Sequence, residues 1–178
     1  TGNALTGLSV FATVTNERGY GTNYDLDRFG NPISVKDPLN NVTTIERNHL
    51  GQPVRITSAD PDGGGPLTSS VIVMGYSAGA SNLVFQKNPD NSTKTWTYTT
   101  FNLPATATDE LSRTEEYGYD AYGNMTSFED AGGFVWTFTY TAIGLVDVAT
   151  TPDPDSAGPL SAIATDHNYD AYGRLVKI

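Results

Sequence analysis

The stretch from Tyr119 to Tyr140 decides the fold, and it opens with Tyr119-Asp-Ala-Tyr-Gly-Asn124. Further along, Tyr169-Asp-Ala-Tyr-Gly-Arg174 repeats this motif almost letter for letter. From Phe134 to Tyr140, aromatic residues alternate with Val and Thr, which is the period of two that is typical of a β-strand. Asp130-Ala-Gly-Gly133 has the residues of a tight turn, since Gly tolerates a positive φ. The unit therefore predicts two strands and two turns.

Weaker copies of this unit extend through the chain. They start near residues 26, 47, 76, 98, 119, 140 and 169, and a partial copy covers residues 7–25. We therefore predict an all-β fold, a single array over residues 1–178 of about seven antiparallel hairpin repeats of 21–29 residues each. The recurring aromatic residues are expected to form cross-strand ladders that fix the register. The residues that carry the signature are Asp27, Phe29, Gly30, Tyr98, Tyr119, Asp120, Tyr122, Gly123, Tyr140, Gly144, Tyr169, Asp170, Tyr172 and Gly173.

Two of the units are longer than the others and carry a similar insertion. The insertions contain Asp60-Pro-Asp-Gly63 and Asp153-Pro-Asp-Ser156, and each continues into Gly-Pro-Leu. They predict long hairpin loops over residues 58–68 and 150–161. Carboxylates two residues apart suit Ca²⁺, so Asp60, Asp62, Asp153 and Asp155 form an alternative calcium hypothesis. The twelve-residue spacing that ends in Glu is missing, and solvated loops are the favoured interpretation.

Composition excludes several classes of function. The 178 residues include 20 acidic and 10 basic side chains, a net charge of −10, which argues against nucleic-acid binding. The chain has no Cys, so it has neither disulfides nor thiolate metal sites. It has no run of 18 apolar residues, which argues against a membrane-spanning helix. We expect no cofactor. The chain ends in what looks like the middle of a strand, so we expect a piece of a longer protein or a processed product.

One segment matches a catalytic motif by its letters alone. Gly75-Tyr-Ser-Ala-Gly79 fits G-x-S-x-G, and His167 follows it in the order of an α/β-hydrolase. The motif needs a helix after the serine, whereas the residues that follow Ser77 favour a turn and a strand. In the repeat, Ser77 occupies the position of the signature Asp. The sequence therefore predicts that the chain is not an enzyme.

The Tyr-Asp-x-x-Gly-Asn/Arg signature resembles the YD repeat, or Rhs repeat. Proteins with this repeat include bacterial Rhs toxins, shell subunits of insecticidal toxin complexes, wall-associated proteins and teneurins. The resemblance implies a strip of β-hairpins that winds in a spiral into a hollow shell, which in the toxin members encloses a toxic C-terminal segment. Complete Rhs shells end in a self-cleaving segment. That segment has no counterpart here, so toxin processing does not carry over.

The resulting hypothesis is a structural, extracellular or cell-surface protein. About 14 strands spaced about 4.8 Å apart span roughly 65–70 Å, too few to close a cage around a cargo. We therefore expect self-association through strand edges into a shell, tube or fibre, or continuation within a longer chain. One alternative is a fragment of a toxin-encapsulating cocoon. Another is an adhesion module that binds glycans through Trp96 and Trp136.

Overall fold

The computed structural model describes residues 10–79, 81–155 and 158–178 of the chain. Residues 7–9 of the predicted partial repeat and residues 156–157 of the second long loop lie outside this part. All regular structure in the described residues is β-strand. The strands are β1 (Val10–Thr15), β2 (Gly21–Leu26), β3 (Pro32–Lys36), β4 (Val42–Arg47), β5 (Pro53–Thr57), β6 (Val71–Tyr76), β7 (Leu83–Lys87), β8 (Thr93–Tyr98), β9 (Pro104–Thr108), β10 (Thr114–Tyr119), β11 (Met125–Glu129), β12 (Val135–Tyr140), β13 (Val146–Thr150), β14 (Ala164–Asp166), β15 (Asn168–Tyr169) and β16 (Leu175–Lys177).

The order of strands in the sheet is the order of the chain. Strands β1 to β14 form one sheet in sequence order, and β15 and β16 form a second, two-stranded sheet. The pairings are antiparallel, for example between β11 and β12 and between β12 and β13. The prediction of an all-β, antiparallel hairpin array is therefore confirmed. The described residues also include no helix that could cross a membrane.

The chain divides into two compact units. Unit 1 consists of residues 1–76 and 85–92, and unit 2 consists of residues 77–84 and 93–178. Within unit 1, the register places Tyr24 opposite Val35 and Ile45 opposite Ile56, so apolar side chains meet on neighbouring strands. Within unit 2, Phe128 lies opposite Trp136 in the same manner. Such directly opposed pairs stabilise a sheet and fix its register.

Among the described residues, no side chain is fully buried, whether apolar or polar. The alternation along β12 gives the reason: Trp136, Phe138 and Tyr140 are half-buried, whereas Val135 and Thr137 are exposed. Aromatic side chains therefore cover one another along one face of the sheet, and no second layer packs on them within each unit. This arrangement differs from a globular domain, which is built from packed layers around one core.

His167 marks the place where the last long strand breaks. It separates β14 from β15, and its backbone N–H donates a hydrogen bond of 2.7 Å to the carbonyl oxygen of Asp147 on β13. In the other repeats, the residue two positions before the signature residue is aromatic or aliphatic, as with Phe138 and Trp96. The irregular residue in the sequence repeat thus coincides with the irregularity in the sheet.

Candidate functional site

Apart from the turn at Ser77 and the two long loops, the described turns between neighbouring strands share one backbone geometry. In the turn at Asp120, the Asp120 N–H donates to the carbonyl of Asn124, and the Gly123 N–H donates back to the carbonyl of Asp120. Gly123 has a φ of 87°, in the left-handed region. The opposite turn at Asp130 repeats both hydrogen bonds with Phe134 and Gly133. Turns with this pair of hydrogen bonds begin at Asn16, Asp27, Asp37, Asn48, Asn88, Thr99, Asp109, Asp120, Asp130, Thr141 and Asp170.

The signature Asp caps this turn with its side chain. Asp120 Oδ1 accepts hydrogen bonds of 2.9 Å from the backbone N–H groups of Tyr122 and Asn124. Asp27 and Asp170 make the same pair of contacts in their own turns. A side-chain acceptor that satisfies two turn N–H groups is the reason Asp and Asn favour such positions. The Asp of the motif is therefore a structural residue.

The last residue of the motif binds the same carboxylate. Asn124 Nδ2 donates to Asp120 Oδ2 at 2.9 Å, and Arg174 Nε donates to Asp170 Oδ2 at 2.6 Å. These contacts explain why the motif ends in either Asn or Arg. The hydrogen bond from Asn124 is the main cause of a lowered pKa at Asp120, and backbone and side-chain hydrogen bonds from Arg174 lower the pKa of Asp170. Both groups are ionised at neutral pH.

The first tyrosine of the motif joins neighbouring strands through its hydroxyl. Tyr140, at the end of β12, donates a hydrogen bond of 2.7 Å to the carbonyl oxygen of Met125, at the start of β11. Tyr98 makes the equivalent bond to Leu83 at 2.9 Å. The other members of the set are Tyr76 to the carbonyl of Pro53 at 2.9 Å, and Tyr169 to the carbonyl of Val146 at 2.8 Å.

The repeat at residue 47 lacks the tyrosine but keeps the contact. Arg47, at the end of β4, donates from Nε to the carbonyl oxygen of Pro32, at the start of β3, at 3.0 Å. The guanidinium of Arg47 therefore supplies the hydrogen bond that the tyrosine hydroxyl makes in other repeats. Tyr119 occupies the corresponding position on β10, and partial burial raises its pKa. A side-chain donor that reaches a strand-end carbonyl recurs at this position in five repeats, those of Arg47, Tyr76, Tyr98, Tyr140 and Tyr169.

Ring contacts in the sheet run through a different set of residues. Phe128 on β11 lies between Tyr117 on β10 and Trp136 on β12, with ring centroids 5.3 Å and 5.4 Å apart. The Tyr117 hydroxyl donates to Glu115 at 2.7 Å, and this hydrogen bond raises the pKa of Tyr117 to about 12. The ladder therefore stacks residues of three consecutive strands, and the signature tyrosines fix the register through their hydroxyls.

The second aromatic of the motif points away from the sheet. Tyr122 is 92% exposed and Tyr172 is 86% exposed. Phe29 occupies the same turn position, and its ring lies 4.6 Å from the guanidinium of Arg28. The fold thus uses the first tyrosine, the Asp and the Gly of the signature, and leaves the second aromatic at the surface.

The two tryptophans line separate grooves in unit 2. Trp136 is half-buried and, with Phe134 and Ile163, borders an open apolar groove of about 490 Å³ beside the second long loop. Trp96 lines a smaller groove, close to the Lys94–Glu110 ion pair. The structure thus places the two predicted glycan-contacting residues in different surroundings, one apolar and one charged.

The two long loops share a local structure. Asp62 Oδ2 accepts a hydrogen bond from the N–H of Leu67 at 3.0 Å, and Asp155 Oδ2 accepts one from the N–H of Leu160 at 3.1 Å. Asp60 and Asp153 likewise accept from backbone N–H groups two residues ahead. These carboxylates therefore cap the loop backbone. Within the described part of the chain, no three His, Asp or Glu side chains cluster as metal ligands would.

Ser77 also has a structural contact. Its Oγ accepts a hydrogen bond of 3.2 Å from the N–H of Asn82, and its own N–H donates to the Asn82 carbonyl. Ser77 thus caps its turn as Asp120 does, in a turn one residue longer. The segment after it leads into β7, as the sequence predicts.

Comparison with known proteins agrees with this geometry. The model of the RHS Repeat family matches residues 119–157, which include the turns at Asp120, Asp130 and Thr141. No curated protein matches the sequence significantly. The resemblance to the YD-repeat, or Rhs-repeat, family is confirmed by the family model for this segment and by solved structures for the fold.

Solved structures align with nearly all of the chain. The crystal structure of TcdB2-TccC3-Cdc42 has a TM-score of 0.63 and 16% identity, and the match covers 97% of this chain and 11% of that chain. The structure of TcdB2-TccC3 without the hypervariable C-terminal region has a TM-score of 0.62 and 17% identity, with coverages of 97% and 10%. The crystal structure of TcdB2-TccC3 has a TM-score of 0.62 and 16% identity, and the match covers 97% of this chain and 11% of that chain. The chain thus spans about a tenth of those chains, and the likeness concerns the fold.

Sequence reasoning missed two features of the signature. The hydroxyl contact of Tyr140 and the exposure of Tyr122 both follow from where each residue stands relative to a strand end, which the letters alone do not give. A signal for the first was present, since Arg47 replaces the tyrosine with another long donor. A signal for the exposure of Tyr122 was also present. Ile143 and Leu50 stand at the same position in other repeats, so the position does not need an aromatic ring.

Proposed function

We propose that this chain is a structural segment of a secreted or cell-surface YD-repeat wall, and that the wall extends by adding strands at its edges. One observation carries the proposal: no described residue is fully buried, so the sheet encloses no core of its own. A sheet of hairpins that is one layer thick is suited to form part of such a wall. The acidic net charge of −10 favours solubility of such a surface.

The edge strand β1 supports growth of the sheet by strand addition. In the described residues, β1 pairs with β2 on one side, and it carries no charged side chain. Phe11 is 73% exposed and Val14 is 61% exposed. Apolar edges without Lys, Pro or a bulge readily pair with another strand. The partner strand comes from the rest of a longer chain or from a second copy.

Electron microscopy with edge variants tests this proposal. We expect the chain to form extended assemblies, and Phe11→Lys to suppress them because a charge on the edge opposes pairing. Val42→Lys is the matched control, since Val42 is an exposed apolar residue in β4, which is paired on both sides. Equal effects of the two variants, or a monomeric parent chain, would overturn strand addition between copies of this chain.

The alternative function is a segment of a cocoon that encloses a toxin. It is favoured by the fold shared with structures whose chains are about ten times longer. The coding region around this chain separates the two functions. A long repeat region that ends in a self-cleaving segment and a variable toxin supports the cocoon, whereas a short repeat protein supports the self-assembling wall.

A second alternative is glycan adhesion, for which the apolar groove at Trp136 is the specific observation. Aromatic faces stack on sugar rings, and Phe134 extends the aromatic surface beside Trp136. A glycan array tests it: Trp136→Ala should abolish binding with the fold intact, and Trp96→Ala should weaken it if both grooves contribute. Absence of binding to every glycan by the parent chain would exclude this function.

The proposal assigns no catalytic role to the chain. Ser77 Oγ accepts a backbone N–H in its turn, and a nucleophilic serine instead needs a general base in hydrogen-bond contact. A fluorophosphonate serine probe should therefore leave the chain unlabelled. Covalent labelling that disappears in Ser77→Ala would contradict this assignment.

A further inference from the structure

One edge of unit 2 carries a row of large apolar side chains that the fold does not use. They occupy the third residue of the turns that begin at Thr99, Asp120, Thr141 and Asp170, and we call them the turn row: Phe101, Tyr122, Ile143 and Tyr172. Their exposed fractions are 70%, 92%, 74% and 86%. The longer turn at Ser77 has Gly79 at this position. Exposed apolar residues are ordinary when scattered, but a regular row of them marks an interaction surface.

The other signature residues of these turns have a local structural role. Asp120 caps the turn, Gly123 adopts the positive φ, and Asn124 binds the carboxylate of Asp120. The third side chain extends largely into solvent, and its local contact is at Tyr172, whose ring centroid lies 5.4 Å from the guanidinium of Arg174. An apolar residue nevertheless recurs there in every turn of the row. The recurrence therefore needs a partner outside the unit.

The geometry points to a second copy of this chain, docked through the same turn row. The turns of Phe101, Tyr122 and Ile143 belong to one antiparallel meander, in which alternate turns lie two strands apart, about 9.5 Å, so this part of the row has a fixed period. The turn of Tyr172 belongs to the two-stranded sheet of β15 and β16. An identical row has the same period, and its side chains fit between those of the first. Tyr122 and Ile143 already border one groove of about 560 Å³ between adjacent turns, which can receive an apolar side chain from the partner.

The charge of this edge also favours a copy of itself. The four turns carry two carboxylates and one guanidinium, a net of −1, although the chain as a whole carries −10. Asp170 and Arg174 form an ion pair of 2.6 Å within their own turn. Two such edges can therefore approach without the repulsion that opposes other faces of the chain.

The composition of the turn row argues against a sugar or an anionic membrane as its partner. Stacking on a sugar needs an aromatic plane, and Ile143 has none. An anionic membrane is opposed by the net charge of −10. Four side chains that bury roughly 150 Å² each give about 1,200 Å² in total over two copies, the lower limit of a specific interface. A weak, reversible dimer is therefore expected from this unit.

This inference rests on the proposed structural role but uses a different surface, so the two can fail separately. The test is sedimentation velocity over a wide concentration range in a Phe11→Lys background, in which strand addition is suppressed. The double variant Tyr122→Ser/Ile143→Ser should raise the dissociation constant of the dimer at least tenfold. Leu111→Ser is the matched control, because Leu111 holds the same turn position, is 73% exposed and lies on the opposite edge.

The measured dissociation constants show whether the dimer forms through the turn row or through another surface. A dimer weakened by the double variant and unchanged by Leu111→Ser supports the turn row. A chain that stays monomeric in the Phe11→Lys background, or equal weakening by Leu111→Ser, overturns it. Row-dependent binding to glycans or to phosphatidylcholine vesicles without self-association also overturns it, in favour of that partner. If Phe11→Lys abolishes the extended assemblies but retains the dimer, strand addition at β1 and docking through the turn row are both supported as separate contacts.

Discussion

The hydroxyl of Tyr140 lies 2.7 Å from the carbonyl oxygen of Met125, and this hydrogen bond connects the end of β12 to the start of β11. The contact lies at the strand ends, where the backbone ladder of the hairpin is incomplete. It recurs for Tyr98 and Tyr169, and Arg47 supplies it where the tyrosine is missing. The repeat is therefore held by a donor at the end of one strand and an acceptor at the start of its neighbour.

Removing this hydroxyl should lower stability without changing the fold. We expect Tyr140→Phe to reduce the free energy of unfolding by about 1 kcal/mol, because the Met125 carbonyl loses its side-chain donor. Denaturation in urea measures the change. Tyr122→Phe is the control, since that side chain is 92% exposed and the substitution should have no measurable effect. Equal effects of the two variants would contradict the role assigned to Tyr140.

The positive φ of the turns predicts opposite effects at two equivalent positions. Gly123 has a φ of 87° and Ser112 a φ of 62° at the same place in their turns. Gly123→Ala should cost about 1 kcal/mol, since an L-residue is strained in this region. Ser112→Gly should be neutral or stabilise by up to about 1 kcal/mol. Thermal or urea unfolding checks both, and destabilisation by Ser112→Gly would show that this turn geometry is wrong.

The capping carboxylates predict loss of stability in acid. Hydrogen bonds in the turns lower the pKa values of Asp27, Asp37, Asp109, Asp120 and Asp170. A carboxyl whose pKa is lower in the folded state stabilises the fold above its unfolded pKa of about 3.9, and the effect is lost as the pH falls through the folded pKa. Unfolding midpoints should therefore be flat near neutrality and fall below about pH 4.

Asp120→Asn separates the charge of this cap from its hydrogen bonds. The amide oxygen can still accept from the N–H groups of Tyr122 and Asn124, but it no longer titrates. This variant should therefore lose less stability between pH 5 and pH 2 than the parent chain does. Asp120→Ala removes the acceptor and should be less stable at every pH. A parent chain whose stability does not change in acid would contradict the lowered pKa values.

The sequence predicted the fold well because the repeat is dictated locally. The alternation from Phe134 to Tyr140 and the Gly of each turn specify strand and turn without reference to distant residues. The strand break at His167 could be suspected from the one irregular column of the repeat, but its geometry could not. The break is accompanied by a hydrogen bond from the His167 backbone N–H to the carbonyl of Asp147 on β13, the strand that pairs with β14.

The candidate site was less accessible from the sequence than the fold. A recurring tyrosine predicts a structural role, but both Tyr119 and Tyr122 recur, and only three-dimensional placement separates the half-buried residue from the exposed one. The calcium alternative at Asp62 and Asp155 stays a prediction, and the structure adds that each carboxylate accepts a hydrogen bond from a loop N–H. In both cases, the decisive information is which backbone groups a side chain can reach.

We propose that the sheet continues from copy to copy, or from segment to segment, by addition of strands at its edges. The chain has no Cys, so introduced cysteines report contacts cleanly. Val14→Cys on β1, an edge of the 14-stranded sheet, and Val176→Cys on β16, in the two-stranded sheet, place thiols at residues that are 61% and 63% exposed. The control pairs Leu111→Cys, in a turn, with Val176→Cys.

Oxidation of an equimolar mixture of the two edge variants is the most direct measurement. Strand addition predicts a disulfide-linked heterodimer of the Val14→Cys and Val176→Cys chains, in clear excess over both the homodimers and the heterodimer of the Leu111→Cys control. Equal yields from the edge pair and the control pair, or no cross-linked product from the edge pair, would contradict the claim.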